Sequence, residues 1–444
     1  MLLILKELDT VTKELFNIKL YNYQKEIVEA IFSNNRKVTI KATTRAGKSY
    51  TLALSLLLYI LCYPKTKIGI IATTQHKTKI IYSYIADFLA SSPELAAKFD
   101  IKVPKDDISR LRAEASKQKL TTKQGGYIEV LTADLPSQGQ ALMGRAYDVT
   151  AIDESAELTP EAWSKIYRML VENPKSKMVE IYNPWFLNHT YDHWNDPEWT
   201  KIHIPWQKCV EEGRMTKEAV EDQRRNLTEL EFSVLFNAEF PENIENSVFK
   251  KAYLDLACRK KEFKDYDKIL IGADIAAGGK DFTVITICGQ KDNEFSFIGY
   301  KKIDSPDTML TVGEIKEIAS KYKTPIIQID AVGFGKGVID RLKESKYNAY
   351  SYIAGQSATE KKRYYNRKSE DLFGLSDIMK QGRFYNLPEN SPFILEARKI
   401  TYEIRSDRLL KTIDPEDKSP DHLDGLNICC ARPKGGVSAF TLNI

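Results

Sequence analysis

The segment from Lys37 to Tyr63 constrains the fold of this chain more than any other. It reads VTIKA, then TTRAGKS, then YTLALSLLLYILCY: a β-branched strand, a polar turn and an apolar helix. Ala42-Thr43-Thr44-Arg45-Ala46-Gly47-Lys48-Ser49 fits the phosphate-loop pattern G-x-x-x-x-G-K-[ST], with Ala42 in place of the first glycine. A turn placed between a strand and a helix N-terminus aims backbone N–H groups at an anion. Thr44, Arg45, Ala46 and Gly47 are therefore expected to line a bound ATP. Lys48 would reach its β- and γ-phosphates, and Ser49 would hold Mg²⁺.

The surroundings fit a parallel sheet covered on both faces. KIGIIATT is a second strand, followed by the helical HKTKIIYSYIADFLASS. Gly125–Gly126, between TTKQ and YIEVLTA, reads as a hairpin or tight turn. The strand in YDVTAIDE ends in Asp153 and Glu154. Asp153 would orient the Mg²⁺ shell and Glu154 would polarise the attacking water, since phosphoryl transfer needs positioning and charge stabilisation above all. Arg45 and Arg145 are both candidates for neutralising transition-state charge, and the sequence does not choose between them. Gln24 lies in LYNYQKEIVEAI, where its amide could read adenine or simply open an amphipathic helix. Asn183 ends the strand VEIYNP, where it could sense the γ-phosphate.

Composition bounds the classes of function. The 444 residues are 43% hydrophobic and 28% charged with a net charge of +4, so any nucleic-acid surface must be local. The six cysteines form no C-x-x-C pair and read as reduced core thiols. MLLILKELDT lacks the features of a signal peptide. The apolar run Tyr50 to Tyr63 falls short of the roughly 20 residues that span a bilayer. A soluble intracellular protein is expected, with no membrane partner.

A second rhythm begins near Lys268. KILIGADIA, DFTVITICGQ and EFSFIGYKKI read as three antiparallel strands, and GEIKEIASKY as a helix. TPIIQIDA is a buried strand. GVIDRLKES, KSEDLFGLSDIMKQG and SPFILEARKITYEI read as helical, and HLDGLNICCAR as a last helix. That order is RNase H-like. The fold class is α/β: a P-loop ATPase domain over 1–240, a linker over 241–265, and an RNase H-like nuclease domain over 266–444. Asp274 and Asp330 fall on strands, and Asp424, with Asp421 close by, opens the last helix. Buried acids gathered this way need a cation, and an oxygen-rich Mg²⁺ or Mn²⁺ site meets the need. Two such ions activate a water and stabilise the leaving oxygen of a phosphodiester. Asp281 is a weaker candidate, better read as a turn acid. His422 reads as structural or solvated. RYYNRK, residues 363–368, mixes base and aromatic character and reads either as a phosphate contact or as a solvated helix face.

In sum of motifs, the chain resembles the large terminase subunits of tailed viruses. The likeness rests on TTRAGKS, GRAYDVTAIDESAEL, VEIYNPW, LIGADIAAGGKDFTV, IQIDAVGFGKGVIDRL, YYNRK and SPDHLDG, in the family's order from about residue 20 to 430. It implies a DNA-packaging motor that translocates double-stranded DNA with ATP and cuts it. It further implies a pentamer docked on a viral portal protein, with a small terminase subunit as partner, working in the host cytoplasm on a procapsid. By the same resemblance Gln24 reads adenine, Lys48 and Ser49 are the P-loop pair, and Asp153 and Glu154 are the magnesium acid and catalytic base. Arg145 acts on a neighbour's ATP, Asn183 couples hydrolysis to motion, and Asp274, Asp330 and Asp424 form the nuclease triad. Asp421 remains the alternative third acid. Two rival readings are a helicase-like translocase without nuclease activity and a DDE-type recombinase with an accessory ATPase.

Overall fold

The structure, a computed structural model, describes residues 7–100, 119–133, 142, 144–169, 175–242, 245–276, 282–416 and 418–431. Its internal contacts divide the chain into two units, Met1–Pro241 and Glu242–Ile444.

The first unit is built on a seven-stranded sheet. Its strands are β1 (Lys37–Ala42), β2 (Lys67–Ala72), β3 (Lys119–Thr121), β4 (Tyr127–Thr132), β5 (Val149–Asp153), β6 (Lys177–Tyr182) and β7 (Thr200–Ile204). Their spatial order is β3-β4-β2-β5-β6-β1-β7. All neighbours are parallel except β3 and β4, which form the hairpin foreseen at Gly125–Gly126. A parallel sheet must be covered on both faces, and alternation along each strand shows how it is done. Val149 and Ala151 of β5 join one core with Leu52, Leu56 and Ile60 of the helix Lys48–Cys62. Ile152 joins the opposite core with Ala162 and Ile166 of the helix Pro160–Arg168. Each such leucine or isoleucine taken from water contributes about 1.5–3 kcal/mol.

The second unit carries a six-stranded sheet. Its strands are β8 (Lys268–Asp274), β9 (Thr283–Lys291), β10 (Glu294–Ile303), β11 (Ile326–Asp330), β12 (Ala349–Tyr352) and β13 (Phe384–Tyr385), in the order β12-β11-β8-β9-β10-β13. β8, β9 and β10 form an antiparallel meander, and β11 runs parallel to β8. This is the RNase H-like order expected of the sequence. The helices Thr308–Ser320 and Gly335–Glu344 cover one face, and Arg367–Lys380 and Asp421–Cys430 the other. The last helix lies so close to β8 that a Cβ on Gly272 would stand 2.2 Å from the backbone nitrogen of Cys429.

Two expectations differ from the structure, and one strand was not expected. The stretch read as a linker, 241–265, folds with the second unit where it is described. Val248 and Phe249 are buried in its core, and Lys251–Ala257 is a helix. SPFILEARKITYEI is helical only over Pro392–Ala397. Its end forms β14 (Thr401–Ile404), paired antiparallel with β15 (Leu410–Ile413). Thr401, Tyr402 and Ile404 favour strand, and cross-strand pairing overrides the helical spacing. β7 was not foreseen, because TKIHI is short and outside the main rhythm.

Gly272→Ala is expected to destabilise the second unit by about 1–3 kcal/mol, because the obstacle is backbone that cannot rotate away. Urea denaturation reads it. A loss below about 0.5 kcal/mol, the range of neutral surface changes, would show that helix and strand can part.

Candidate functional sites

In the first unit the turn after β1 and the end of β5 converge. The helix starts at Lys48, so its first N–H groups have no acceptor within the helix. Gly47 sits at φ 81° and Arg45 at φ 62°, the left-handed conformations that curl this loop. Lys48 Nζ donates to Asn183 Oδ1 at 2.7 Å and lies 3.9 Å from Glu154 Oε1. Asn183 in turn donates from Nδ2 to the Ala42 carbonyl at 2.8 Å. Ser49 Oγ donates to Asp153 Oδ2 at 2.6 Å. Asp153 Oδ1 is buried and takes no hydrogen bond. Burial, and then the charge of Glu154, push the Asp153 carboxyl up to about 6, against the opposing pull of Ser49 and Lys48. Burial drives the Lys48 amine down, with Glu154 and Asp153 opposing. A hard cation bridging Ser49 and Asp153 would satisfy the orphaned oxygen and the paired acids together. That donor set suits Mg²⁺.

Other expected residues have different company. Thr44 donates its N–H to the Leu235 carbonyl at 2.7 Å, so that group points at the wide helical turn Ser233–Asn237. Ala46 accepts from the Tyr23 hydroxyl at 3.1 Å. Arg45 is exposed. Arg145 is ion-paired with Glu129, which also accepts from the Tyr147 hydroxyl at 2.8 Å. Gln24 is buried beside the loop, 3.4 Å from where a Cβ on Gly47 would stand. Its amide already works twice: Oε1 accepts from Tyr21 N at 3.1 Å and Nε2 donates to Thr51 Oγ1 at 2.9 Å. Tyr21 and Tyr23 stack with ring centres 5.6 Å apart.

In the second unit β8 and β11 end side by side, Ile329 opposite Ala273, which places Asp274 and Asp330 together. The helix Asp421–Cys430 packs across β8 and brings Asp424 to them. Burial, and then the charges of Asp424, Asp330 and Asp421, push the Asp274 carboxyl well up. Burial also raises Asp330, against a 3.0 Å bond from Val332 N to its Oδ1. Asp424 is pushed up to about 6 by burial, with Lys368 opposing. Asp421 is buried and its Oδ2 accepts from Phe282 N at 3.1 Å. Four carboxylates gathered here, three of them raising the proton affinity of Asp274, form a donor set suited to divalent cations, and Mg²⁺ and Mn²⁺ both fit it.

One residue of this site is absent from the sequence reading as an acid partner. Lys368 donates to Asp424 Oδ2 at 2.8 Å and to Asp414 Oδ2 at 2.7 Å. Burial pulls its amine down, but these two acids outweigh it and hold it above the usual value. The basic–aromatic spelling of RYYNRK did flag the segment. Within it Tyr364 and Arg367 are buried, while Arg363 and Tyr365 remain exposed. His422 is buried, its Nδ1 2.8 Å from Glu396 Oε1, which gives it a structural role. Asp281 lies outside the described residues. Cys288, Cys429 and Cys430 gather their thiols within 4.8 Å of one another in the core, and none of the six cysteines is in a disulfide. Among the described residues no helix is long and apolar enough to cross a membrane.

Residues 271–414 match the sequence model of a protein family described as the Terminase RNaseH-like domain. Solved structures similar to the chain include the large terminase of bacteriophage HK97, 14% identical over 93% of this chain and 95% of that one, with a TM-score of 0.47. The large terminase ATPase domain of Thermus phage P74-26 is 17% identical over 51% of this chain and 96% of that one, TM-score 0.41. The large terminase nuclease from the thermophilic phage G20c is 18% identical over 41% of this chain and 97% of that one, TM-score 0.33. No curated protein sequence matches the chain.

Asp153 makes the stability of the fold depend on pH. From 3.8 to about 6 the folded protein keeps a proton that the unfolded chain has lost. Stability from this group is therefore full below the lower value and is lost as pH rises through the upper one. Asp153→Asn should stabilise nucleotide-free protein at pH 8 by about 1–3 kcal/mol, given roughly 1.4 kcal/mol per pKa unit. Denaturant unfolding at pH 8 measures it, and a less stable variant would contradict the assigned burial cost.

Proposed function

We propose that this chain is a viral DNA-packaging motor subunit of the large-terminase kind, hydrolysing ATP to move double-stranded DNA into a capsid and cutting that DNA by metal-dependent hydrolysis. The observation that carries the reading is the pairing, in one chain, of a P-loop site with an acid cluster whose Asp274 and Asp330 lie inside the segment matching the Terminase RNaseH-like domain.

In the first site the N–H groups at the start of the helix Lys48–Cys62 bind phosphate oxygens. Lys48 leaves Asn183 or shares its amine with the γ-phosphate, so Asn183 registers whether that phosphate is present. Glu154, beside Lys48, orients the attacking water and accepts its proton. Ser49 and Asp153 would hold Mg²⁺, which supplies charge neutralisation to the transferring phosphoryl group. Arg45, exposed on the loop, is the arginine that can swing toward the phosphates. Arg145 would first have to leave Glu129. Gln24 would give up a bond to Tyr21 or Thr51 to read adenine.

In the second site Asp274, Asp330 and Asp424 would hold Mg²⁺ or Mn²⁺, which activates water and stabilises the leaving oxygen. Asp424 serves as the third acid, since its charge acts on Asp274 ahead of that of Asp421, and Asp421 is already engaged by Phe282 N. The partners implied are duplex DNA, the portal protein, a small terminase subunit and further copies of this chain, with a pentamer on the procapsid in the host cytoplasm.

Two single changes test the division of labour. Lys48→Ala should abolish ATP turnover and leave plasmid cleavage in Mn²⁺ within about twofold, since separated sites act independently. Asp330→Ala should do the reverse. If either change removed both activities from a folded protein, the two sites would not be independent. ATPase activity without cutting in either metal would favour the helicase-like translocase, and strand-transfer products would favour the recombinase.

A further inference from the structure

Directly behind the first site lies a buried polar cluster that the proposed chemistry does not use. Glu180, in the middle of β6, is fully buried. It accepts from Thr39 Oγ1 at 2.6 Å, from Ser155 Oγ at 3.0 Å and from His193 Nδ1 at 3.0 Å. Ser155 Oγ also lies 3.0 Å from His189 Nε2. A hydroxyl has one proton, and Ser155 gives it to the carboxylate. It must therefore accept from His189, whose Nε2 carries hydrogen. The two imidazoles are held by stacking, His189 on Trp163 at 4.4 Å and His193 on Trp199 at 3.9 Å between ring centres.

The cluster sits one residue from the candidate catalytic base. Glu154 is at φ 55°, a left-handed conformation that costs a residue with a Cβ about 1–2 kcal/mol. It persists only if its neighbours hold it. Ser155 is that neighbour, fixed from β6 and from the helix His189–Asn195. A second tie runs beside it, Asn188 Nδ2 to the Ala156 carbonyl at 2.8 Å. The short segment 183–189 therefore contacts the site at both ends. Asn183 holds Lys48 and His189 holds the turn carrying Glu154.

We infer that Ser155 and His189 are positioning residues for Glu154, setting the carboxylate where it orients the attacking water through the hydrogen bond His189 Nε2–H to Ser155 Oγ. This rests on the reading of the first unit as an ATPase. Ser155 and His189 are buried, and their side chains bond within the Glu180 cluster. Their removal should act on turnover and not on nucleotide affinity.

The test compares the full chain with Ser155→Ala, His189→Leu and His189→Gln. Three readouts are taken: steady-state ATP hydrolysis, the Kd for a fluorescent ADP analogue, and the melting temperature. A glutamine amide can donate where Nε2 does, whereas leucine only fills space. Ser155→Ala and His189→Leu should lower kcat about tenfold or more, the scale of a small misplacement of a reacting group. Affinity for the analogue should stay within about twofold, and His189→Gln should retain kcat within about threefold of wild type. Unchanged kcat in Ser155→Ala overturns the inference. So does a His189→Gln variant as slow as His189→Leu, or affinity falling in step with kcat. If Ser155→Ala does not fold, the two His189 variants decide the matter alone. A wild-type protein that binds the analogue without turning over ATP would sink the ATPase reading, and the inference with it.

Discussion

Carboxylates drawn out of water at strand ends set the terms for everything around them in this protein. Asp153 closes β5 with one oxygen on Ser49 and the other on nothing. Asp274 and Asp330 close β8 and β11 beside Asp424, and the charges of Asp424 and Asp330 raise the cost of ionising Asp274. Such groups destabilise a fold unless a cation or a proton compensates. Persistence of two such places, in two units each with its own core, is physically reasonable if both exist to bind divalent cations next to phosphate.

Both folds bring their acids together by the same device. Parallel strands place the ends of neighbours level with one another, so residues far apart in sequence arrive together. In the first unit β5, β6 and β1 lie side by side, which brings Asp153, Asn183 and the P-loop together. In the second, β8 lies between β11 and β9, and Gly272 lets the last helix come close enough to add Asp424. The buried Glu180 cluster differs in being fully supplied with donors. It behaves as scaffold, and its reach to the turn of Glu154 gives that scaffold a bearing on chemistry.

What could be read from the sequence was local. The P-loop is a contiguous string whose strand–turn–helix setting is spelled in the same few residues, and Asp153, Asp274 and Asp330 each end an apolar run. The meander β8-β9-β10 was legible because turns punctuate it. What could not be read depended on distance. Nothing near Lys368 in sequence points to Asp424, nor near Arg145 to Glu129, nor near Ser155 to His189 and Glu180. Those pairings exist only once the sheets are assembled. Local pattern also misled where tertiary pairing won: Thr401–Ile404 carries helical spacing yet pairs with β15, and residues 245–257 look like linker yet supply buried Val248 and Phe249. Gln24 shows the two scales at odds, since the residue that resembles an adenine reader also caps its own helix through Tyr21.

If the acid clusters of both units are cation sites for phosphate chemistry, each must take up a divalent ion. Anomalous diffraction from crystals grown with Mn²⁺ and a non-hydrolysable ATP analogue tests it most directly. A manganese peak is expected between Ser49, Asp153 and the nucleotide, and at least one more among Asp274, Asp330 and Asp424. Ordered carboxylates at saturating Mn²⁺ with no anomalous signal between them would contradict it.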